Sequence, residues 1–546
     1  MSKYAFGREI PDQGYEELLR KVVHYAAGLP LTIKVLGSHL CGRTENEWVD
    51  TIERLKTIPL EKTLKRLEIS YNGLENDEKV IFFDVVCILK GEMKDDSIRI
   101  LESCGFNAQI GLRVLEQKSL ITISDNDGLR FHYHIKEMGW NIVHGLHPLE
   151  PSKHTRLWIK EEIEDILVNE LGTEVTRSIK LKYTSLQPTT IMRGLRKMRE
   201  LRFLSVHIGD IVWAVDEVSQ YLPDALQSLY WPQYPFRSLP QTFQANKLVN
   251  LEMVWSNISE LWEGGEKKVL NKLRFIDLKY SKLETFDLSM TPNLEKLNLE
   301  GCCDFFKLHI PVERPKLKFL TLIGSKVSNL NLGMIPHLMK LNLDGCNEFV
   351  KLHLPVECPN LKSIDLSGSK VSNLNLRMIP NLKVLHIEGC KEFAELYLPV
   401  ECSSLKFLYL CGSKVGKLNL GNTQHLEKLN CEGCNEFVEL HLPVECPKLK
   451  FLNLKGSMVS NLNLGMTPHL EELNLSGCYD FVELHMPIEC PKLKFLNLKG
   501  SMVSILNLGM TPHLEDLNLS GCGEFVELHM PVECPKLKFL NLKVLR

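Results

Sequence analysis

Cysteine and histidine recur along the C-terminal part of this sequence at intervals of 44 residues. One cysteine series follows a glycine and comprises Cys302, Cys346, Cys390, Cys434, Cys478 and Cys522. A second series follows a glutamate and comprises Cys358, Cys402, Cys446, Cys490 and Cys534. The histidines are His309, His353, His441, His485 and His529, with Tyr397 at the remaining position. These residue types could bind metal ions or form disulfides, so the distance between successive members decides their chemistry.

Leucines recur with the same period, and the fold that they specify determines the distance between successive cysteines or histidines. The pattern Leu-x-x-Leu-x-Leu begins at Leu294, Leu338, Leu382, Leu426, Leu470 and Leu514, and again at Leu317, Leu361, Leu405, Leu449, Leu493 and Leu537. Less regular copies begin at Leu201, Leu226, Leu248 and Leu273. Each copy is typical of one short strand of a leucine-rich repeat, and stacked copies form a solenoid with a parallel sheet along its concave face.

The solenoid places successive members of each cysteine or histidine series two strands apart. That separation is about 9.5 Å, whereas a disulfide requires Cα atoms closer than about 7 Å. We therefore predict reduced, structural cysteines and solvated or packed histidines, with no metal site.

The third and fifth positions of each leucine pattern are expected to project from the concave face. They carry exposed aromatic and amide side chains, which are typical of interaction surfaces. The candidate partner-binding residues are Phe319, Phe407, Phe451, Phe495, Phe539, Asn430, Asn453, Asn474 and Asn497. An alternative remains open, in which the phenylalanine rings pack between coils and bind nothing.

The N-terminal third predicts helices followed by a hairpin. Apolar spacing indicates helices on either side of Gly28 and Pro30, and Asn76 is a candidate cap for a helix over residues 77–89. The segments LITIS and LRFHYH flank an Asp-Asn-Asp-Gly turn and predict a hairpin. The fold class is α+β multidomain, divided into a helical segment at 1–59, a winged helix at 60–150, a linker at 151–194 and the solenoid at 195–546.

Bulk properties narrow the function classes. Lys and Arg total 65 against 68 Asp and Glu, so no global charge favours nucleic acid or an anionic membrane. The recognition segment of the winged helix offers only Arg113 and Lys118, with Glu116 between them, which argues against DNA binding. No secretory signal or apolar stretch of membrane-spanning length is present, so we predict a cytoplasmic protein, with the nucleus as a second compartment.

Several motifs, in order, resemble plant disease-resistance receptors with a Toll/interleukin-receptor-like N-terminus. They include HYAAGLPLTIKVLGSHL, LKRLEISYNGLENDEKVIFFDVVCILKG, TRLWIKEEIEDIL and LPDALQSLYWPQYPFRSLP. The resemblance implies that residues 1–150 correspond to the second half of a nucleotide-binding switch domain and that the repeats sense a ligand. It also implies a role in innate immunity, disease resistance and signal transduction.

The resemblance further implies an ADP or ATP site. The family's Gly-Leu-Pro-Leu motif, which packs near the adenine, maps to Gly28, Leu29, Pro30 and Leu31. Its Met-His-Asp motif maps to Phe131, His132 and Tyr133, where only the histidine matches. Because the sequence contains no phosphate-binding G-x-x-x-x-G-K-[ST] loop, we expect weak or no nucleotide binding and no ATPase activity.

Three functional hypotheses follow. The first is an N-terminally truncated immune receptor that binds a pathogen effector or guarded host protein and makes contacts between its switch and its repeats. The second is a non-signalling decoy or protein scaffold. The third is an ATPase or NADase, which would require N-terminal domains that this sequence lacks.

Overall fold

A computed structural model describes residues 1–8, 11, 14–26, 30–55, 68, 70–145, 147–209, 220–265, 267–398, 404–421, 423–443, 445–464, 467–486, 490–509, 511–531 and 534–543. The chain divides into two compact units. The first contains Met1–Pro232 and Pro240–Leu251, and the second contains Gln233–Leu239 and Glu252–Arg546. No helix among these described residues is long and apolar enough to cross a membrane.

The first unit begins with a small helical group. Its helices are α1 (Ser2–Ala5), α2 (Glu16–Ala26), α3 (Pro30–Leu40) and α4 (Glu45–Leu55). Their core is built around Trp48, whose ring contacts those of Phe6 and Tyr15. The backbone N–H of Thr44 donates to Glu47 over 2.8 Å at the start of α4, so Glu47 supplies a capping contact there.

A winged helix follows. It contains α5 (Asn76–Cys87), α6 (Lys94–Ser103), α7 (Ala108–Gln117), β1 (Thr122–Ile123), β2 (Leu129–Arg130) and α8 (Tyr133–His144). The apolar residues of α5 and its C-terminal end that form this core, Ile81, Phe82, Val85, Val86 and Leu89, are all buried.

Two local predictions in the winged helix are wrong. The cap of α5 is Glu75, whose carboxylate forms a capping box with Glu78, and Asn76 is the first helical residue. The second hairpin strand ends at Arg130, and α8 begins at Tyr133. The alternation at 129–133 suggested a longer strand, but His132 instead accepts a hydrogen bond from the N–H of His134 and starts the helix.

Residues 151–194, which we predict as a linker, contain regular structure. They comprise the 3-10 helix Pro151–Lys153, β3 (Arg156–Leu157), α9 (Lys160–Val168), β4 (Ser178–Thr184) and α10 (Pro188–Gly194). Further on lie the 3-10 helix Leu195–Lys197 and the strands β5 (Phe203–Ile208), β6 (Ser228–Tyr230) and β7 (Asn250–Glu252). Strands β3 to β6 pair successively in parallel, so a parallel strand ladder begins at Arg156.

Buried polar contacts attach these first coils to the winged helix. Arg156 on β3 forms an ion pair of 2.6 Å with Asp84 on α5. Lys180 on β4 donates to the carbonyl of Ile88 and to Glu92, both over 2.6 Å. The winged helix and the start of the repeats therefore share one packed interior.

The second unit is a leucine-rich-repeat solenoid. We call its long parallel ladder the main sheet, with strands Phe275–Asp277, Lys296–Asn298, Phe319–Thr321, Lys340–Asn342, Ser363–Asp365, Val384–His386, Phe407–Tyr409, Lys428–Asn430, Phe451–Asn453, Glu472–Asn474, Phe495–Asn497, Asp516–Asn518 and Phe539–Asn541. The middle residue of each strand is buried in all but the last, whose Leu540 is exposed. The flanking residues form the outer face of the main sheet.

A second set of strands forms separate pairs within the 44-residue block. The pairs are Thr285–Asp287 with Lys307–His309, Asn329–Asn331 with Lys351–His353, Asn373–Asn375 with Glu395–Tyr397, Lys417–Asn419 with Glu439–His441, Asn461–Asn463 with Glu483–His485, and Ile505–Asn507 with Glu527–His529. Short 3-10 turns occupy Glu263–Gly265, Leu288–Met290, Leu332–Met334 and Leu376–Met378. The structural unit is thus a pair of coils, as the period predicts.

Candidate functional site

The phenylalanine row lies on the outer face of the main sheet. Phe319, Phe495 and Phe539 are 39%, 42% and 66% exposed, while Phe407 and Phe451 are half-buried. The rings are therefore accessible to a partner to different degrees, and none of them is enclosed between coils.

The ammonium of Lys428 lies over the ring of Phe451. It lies 4.3 Å from the ring centre of Phe451 and 5.3 Å from that of Tyr409. A cation over an aromatic face is attracted by the ring quadrupole. The basic residue at this position therefore makes favourable contacts with the aromatic side chains of the two flanking strands.

Phenylalanines and carboxylates alternate on four adjacent strands farther along the main sheet. Phe451 is paired with Glu472, Glu472 with Phe495, and Phe495 with Asp516. These side chains surround a depression of about 350 Å³. We call it the aromatic–acidic depression, lined by Phe451, Glu472, Leu473, Asn474, Phe495, Leu496, Asn497, Asp516 and Asn518. Its apolar walls and the negative charges of Glu472 and Asp516 suit a ligand with apolar and basic groups.

The asparagines of the outer face also have a structural role. The side-chain oxygens of Asn474 and Asn497 accept hydrogen bonds from backbone N–H groups two residues later, over 3.0 and 3.1 Å. Asn430 and Asn453 make the same turn contact over 3.2 and 3.0 Å. Such side-chain turns stabilise the exit from each strand. Asn430, Asn474 and Asn497 are partly exposed and can offer a partner their amide N–H groups, whereas Asn453 is buried and its amide donates to Glu432 over 3.1 Å.

The periodic cysteines are built into the core. The thiol of Cys346 donates to the carbonyl of Leu322 over 3.0 Å, and its sulfur lies 3.4 Å from the Ser325 hydroxyl. The same carbonyl contact recurs at Cys302, Cys390, Cys434, Cys478 and Cys522. Burial raises the pKa of the Cys346 thiol, which keeps it protonated and able to donate.

The periodic histidines lie on the second set of strands and pair with nearby glutamates. His441 contacts Glu439 at 2.8 Å, and His485 contacts Glu483 at 3.2 Å. Their imidazoles are more than half exposed, which agrees with solvated side chains.

The residues expected to hold a nucleotide are only partly described. Gly28 and Leu29 lie outside the described residues, whereas the backbone of Pro30 and Leu31 forms the start of α3. His132 is the N-cap of α8. The structure thus leaves the predicted Gly-Leu-Pro-Leu and His132 site as a hypothesis.

Tyr133, which the resemblance places at the position of the family's carboxylate, packs in a small polar cluster. Its ring lies 6.1 Å from that of Tyr25 on α2, and Tyr25 lies 4.8 Å from the ring of His134. His134 contacts Glu137 at 3.0 Å. Burial and the neighbouring Glu137 raise the pKa of Tyr133 to about 12, so the phenol is neutral at physiological pH.

The sequence alone did not identify several residues of the main-sheet surface and of the Tyr133 cluster as parts of a site. Lys428, Glu472 and Asp516 appear in the repeat pattern as ordinary variable positions, because no local motif distinguishes them. Their strand register brings them beside the phenylalanines. The contact of Tyr25 with Tyr133 joins separate helices and carries no sequence signal.

Comparison with known protein families identifies the class of the winged-helix domain. Residues 75–146 match the winged-helix domain of Roq1-like disease resistance proteins. A winged helix of this type followed by leucine-rich repeats is the arrangement that the motifs predict, and both parts of that prediction are confirmed.

The individual relatives are plant disease-resistance proteins. The chain is 36% identical over 309 residues to TMV resistance protein N of Nicotiana glutinosa, covering 56% of this chain and 26% of that protein. It is 36% identical over 342 residues to Disease resistance protein RPV1 of Vitis rotundifolia, covering 58% and 24%. The predicted resemblance to plant disease-resistance receptors is thus confirmed, and the chain spans about a quarter of the length of these relatives.

Solved structures with similar coils are more distant. The functional domain of InlJ from Listeria monocytogenes, whose description includes a cysteine ladder, has a TM-score of 0.48 and 19% identity, covering 64% of this chain and 68% of that one. YopM from Yersinia enterocolitica has a TM-score of 0.36 and 18% identity, covering 68% and 90%.

Proposed function

We propose that this chain is the switch-and-sensor part of a plant innate-immune receptor, and that its repeats bind a pathogen effector or a guarded host protein. The similarity of its winged helix and repeats to disease-resistance proteins supports the immune role. The aromatic–acidic depression is the observation that carries the binding role. The receptor acts in the cytoplasm, with the nucleus as a second compartment.

The depression favours a partner segment that combines apolar and basic side chains. Phe451 and Phe495 provide apolar walls about two strand spacings, roughly 9.6 Å, apart. Glu472 lies between them and Asp516 beyond them. An arginine or lysine of the partner would contact these carboxylates while its neighbours cover the rings.

The experiment is a split-luciferase interaction screen in leaf tissue. The full chain is tested against secreted effectors of plant pathogens and against the host proteins that these effectors modify. Replacing both Phe451 and Phe495 with alanine is expected to weaken the affinity for a specific partner by at least about tenfold, because central aromatic residues dominate interface energies. Tyr479→Ala is the matched control, because Tyr479 is 73% exposed but lies in a turn outside the main sheet. Full binding by the double variant would reject the depression as the interface.

A scaffold or decoy is the second candidate function. It shares the binding surface with the receptor hypothesis but requires no signal. Cell death on co-expression with the bound effector supports a receptor, whereas binding without cell death supports a scaffold. We propose no enzymatic activity, because the sequence lacks the phosphate-binding loop of an ATPase.

Nucleotide sensing is a separate part of the proposal. In the intact family ADP or ATP would lie near Gly28, Leu29, Pro30, Leu31 and His132, and we expect this chain to bind it weakly or not at all. Thermal denaturation with millimolar ADP measures this directly, because a ligand that binds the native state raises the unfolding temperature. A clear increase would show that the chain retains a working nucleotide site.

A further inference from the structure

Three side chains with metal-binding groups converge where the winged helix meets the first repeat coils. His144 is the last residue of α8, His154 follows the 3-10 helix Pro151–Lys153, and Glu162 lies in the first turn of α9. One ligand atom from each lies within 4.8 Å of the other two. Among the described residues, it is the one group of at least three histidine, cysteine or acidic side chains whose ligand atoms all lie this close to one another.

His154 has a buried ring nitrogen with a lone pair and no partner. The side chain is 2% exposed, and Nε2 lies 2.8 Å from the backbone carbonyl of His147. Because a carbonyl only accepts, Nε2 must carry the hydrogen in this contact and Nδ1 is the basic nitrogen of a neutral ring. Nδ1 has no hydrogen-bond partner among the described residues. An unsatisfied buried acceptor is costly, and a bound ion at Nδ1 would remove that cost.

The other two side chains complete a suitable set of donors. Burial and the nearby His154 lower the pKa of His144 to about 4, so this ring also has a free electron pair at neutral pH. Burial raises the pKa of Glu162, and a cation beside its carboxylate would counter that effect. Neutral imidazoles and a carboxylate are the oxygen and nitrogen ligands that Zn²⁺ accepts.

We propose that His144, His154 and Glu162 bind a divalent transition-metal ion of the Zn²⁺ class. The bond from His154 to the His147 carbonyl is the outer contact that normally orients a metal-bound imidazole. Tetrahedral bonds of about 2.1 Å require ligand atoms roughly 3.4 Å apart, so binding an ion requires the three side chains to move closer and the stacked His144 ring to turn. The ion would tie the end of α8 to the start of α9, with water as a fourth ligand.

Ring stacking is the competing explanation for this cluster. The His144 ring lies 4.4 Å from that of His154 and 4.9 Å from that of Trp158, with nearly parallel planes. A purely structural stack needs the shape of the ring but not its nitrogen atoms. His144→Phe therefore separates the two roles, because it keeps an aromatic ring and removes a ligand.

The test is a Co²⁺ titration of the purified, metal-free full chain, followed by visible absorption. One equivalent of Co²⁺ should give d–d bands without the near-ultraviolet charge-transfer bands of thiolate ligands, which distinguishes this site from the 17 cysteines. His144→Phe and Glu162→Gln should weaken binding by more than about tenfold. His147→Gln is the control, because it keeps the backbone carbonyl that His154 contacts.

A second measurement guards against variants that fail to fold. Zn²⁺ should raise the unfolding temperature of the unmodified chain and of His147→Gln, but not of Glu162→Gln, whose shape is nearly unchanged. Absence of stoichiometric Co²⁺ bands, a thiolate-type spectrum, or unchanged Co²⁺ affinity in folded His144→Phe would each overturn the proposal.

Discussion

At the scale of single residues, the repeated cysteines show how a small side chain can specify a solenoid turn. Each ladder thiol described above fills a buried position and donates to a main-chain carbonyl of the preceding coil. A leucine there would be too large, and an alanine would remove the hydrogen bond of the thiol, leaving the Leu322 carbonyl with only the backbone N–H of Ser325 as its donor. The choice of cysteine therefore follows from size and hydrogen bonding together.

Cys346→Ala should destabilise the second unit by about 1–2 kcal/mol, because it removes a buried sulfur and the hydrogen bond to the Leu322 carbonyl. The measurement is the urea midpoint by far-ultraviolet circular dichroism. Cys303→Ala is the matched control, because that thiol, next to Cys302 in sequence, is exposed and its loss should change little. Equal midpoints for Cys346→Ala and the unmodified chain would contradict the structural role.

At the scale of elements, the connection between α5 and β3 depends on one buried ion pair. Arg156 and Asp84 expose only 9% and 13% of their side chains, and Arg156 also donates to the carbonyl of Val80 over 3.3 Å. Loss of one partner leaves a buried charge without compensation. This contact therefore matters more than the many exposed ion pairs of the repeats.

Arg156→Met should cost about 3–5 kcal/mol, since it keeps the apolar stem but leaves Asp84 unpaired. Faster amide hydrogen exchange in both α5 and β3 would report the loss. Arg177→Met provides a comparison within the same coils, because the Arg177–Glu200 pair is exposed and is worth less than about 1 kcal/mol. If both variants exchange alike, the buried pair does not hold these elements together.

At the scale of the whole molecule, periodicity determined what could be predicted. The 44-residue spacing predicts every coil of the second unit, because a repeated apolar pattern has one low-energy stacking arrangement. It does not predict the irregular coils at 151–194, whose strands lack the leucine pattern. The contacts of His144 with His154 and Glu162 were also missed, since they join three elements without a shared local motif.

The pairing of the second set of strands makes the two-coil block, rather than the single coil, the unit that can be removed. Asn329–Asn331 pairs with Lys351–His353, and both strands lie within residues 317–360. Deletion of 317–360 removes one complete pair and leaves the leucine pattern in register at Leu361. Deletion of 317–337 also preserves the leucine register, but it leaves Lys351–His353 without its partner.

We therefore expect the 44-residue deletion to unfold at nearly the temperature of the full chain, because nearest-neighbour contacts determine the stability of a solenoid. The 21-residue deletion should unfold at a lower temperature although it removes less of the chain. Differential scanning calorimetry of the three proteins measures the order. If the shorter deletion were the more stable of the two variants, single coils would be interchangeable and the second set of strands would contribute nothing to stability. The predicted order would establish the coil pair as the cooperative unit of this receptor-like array.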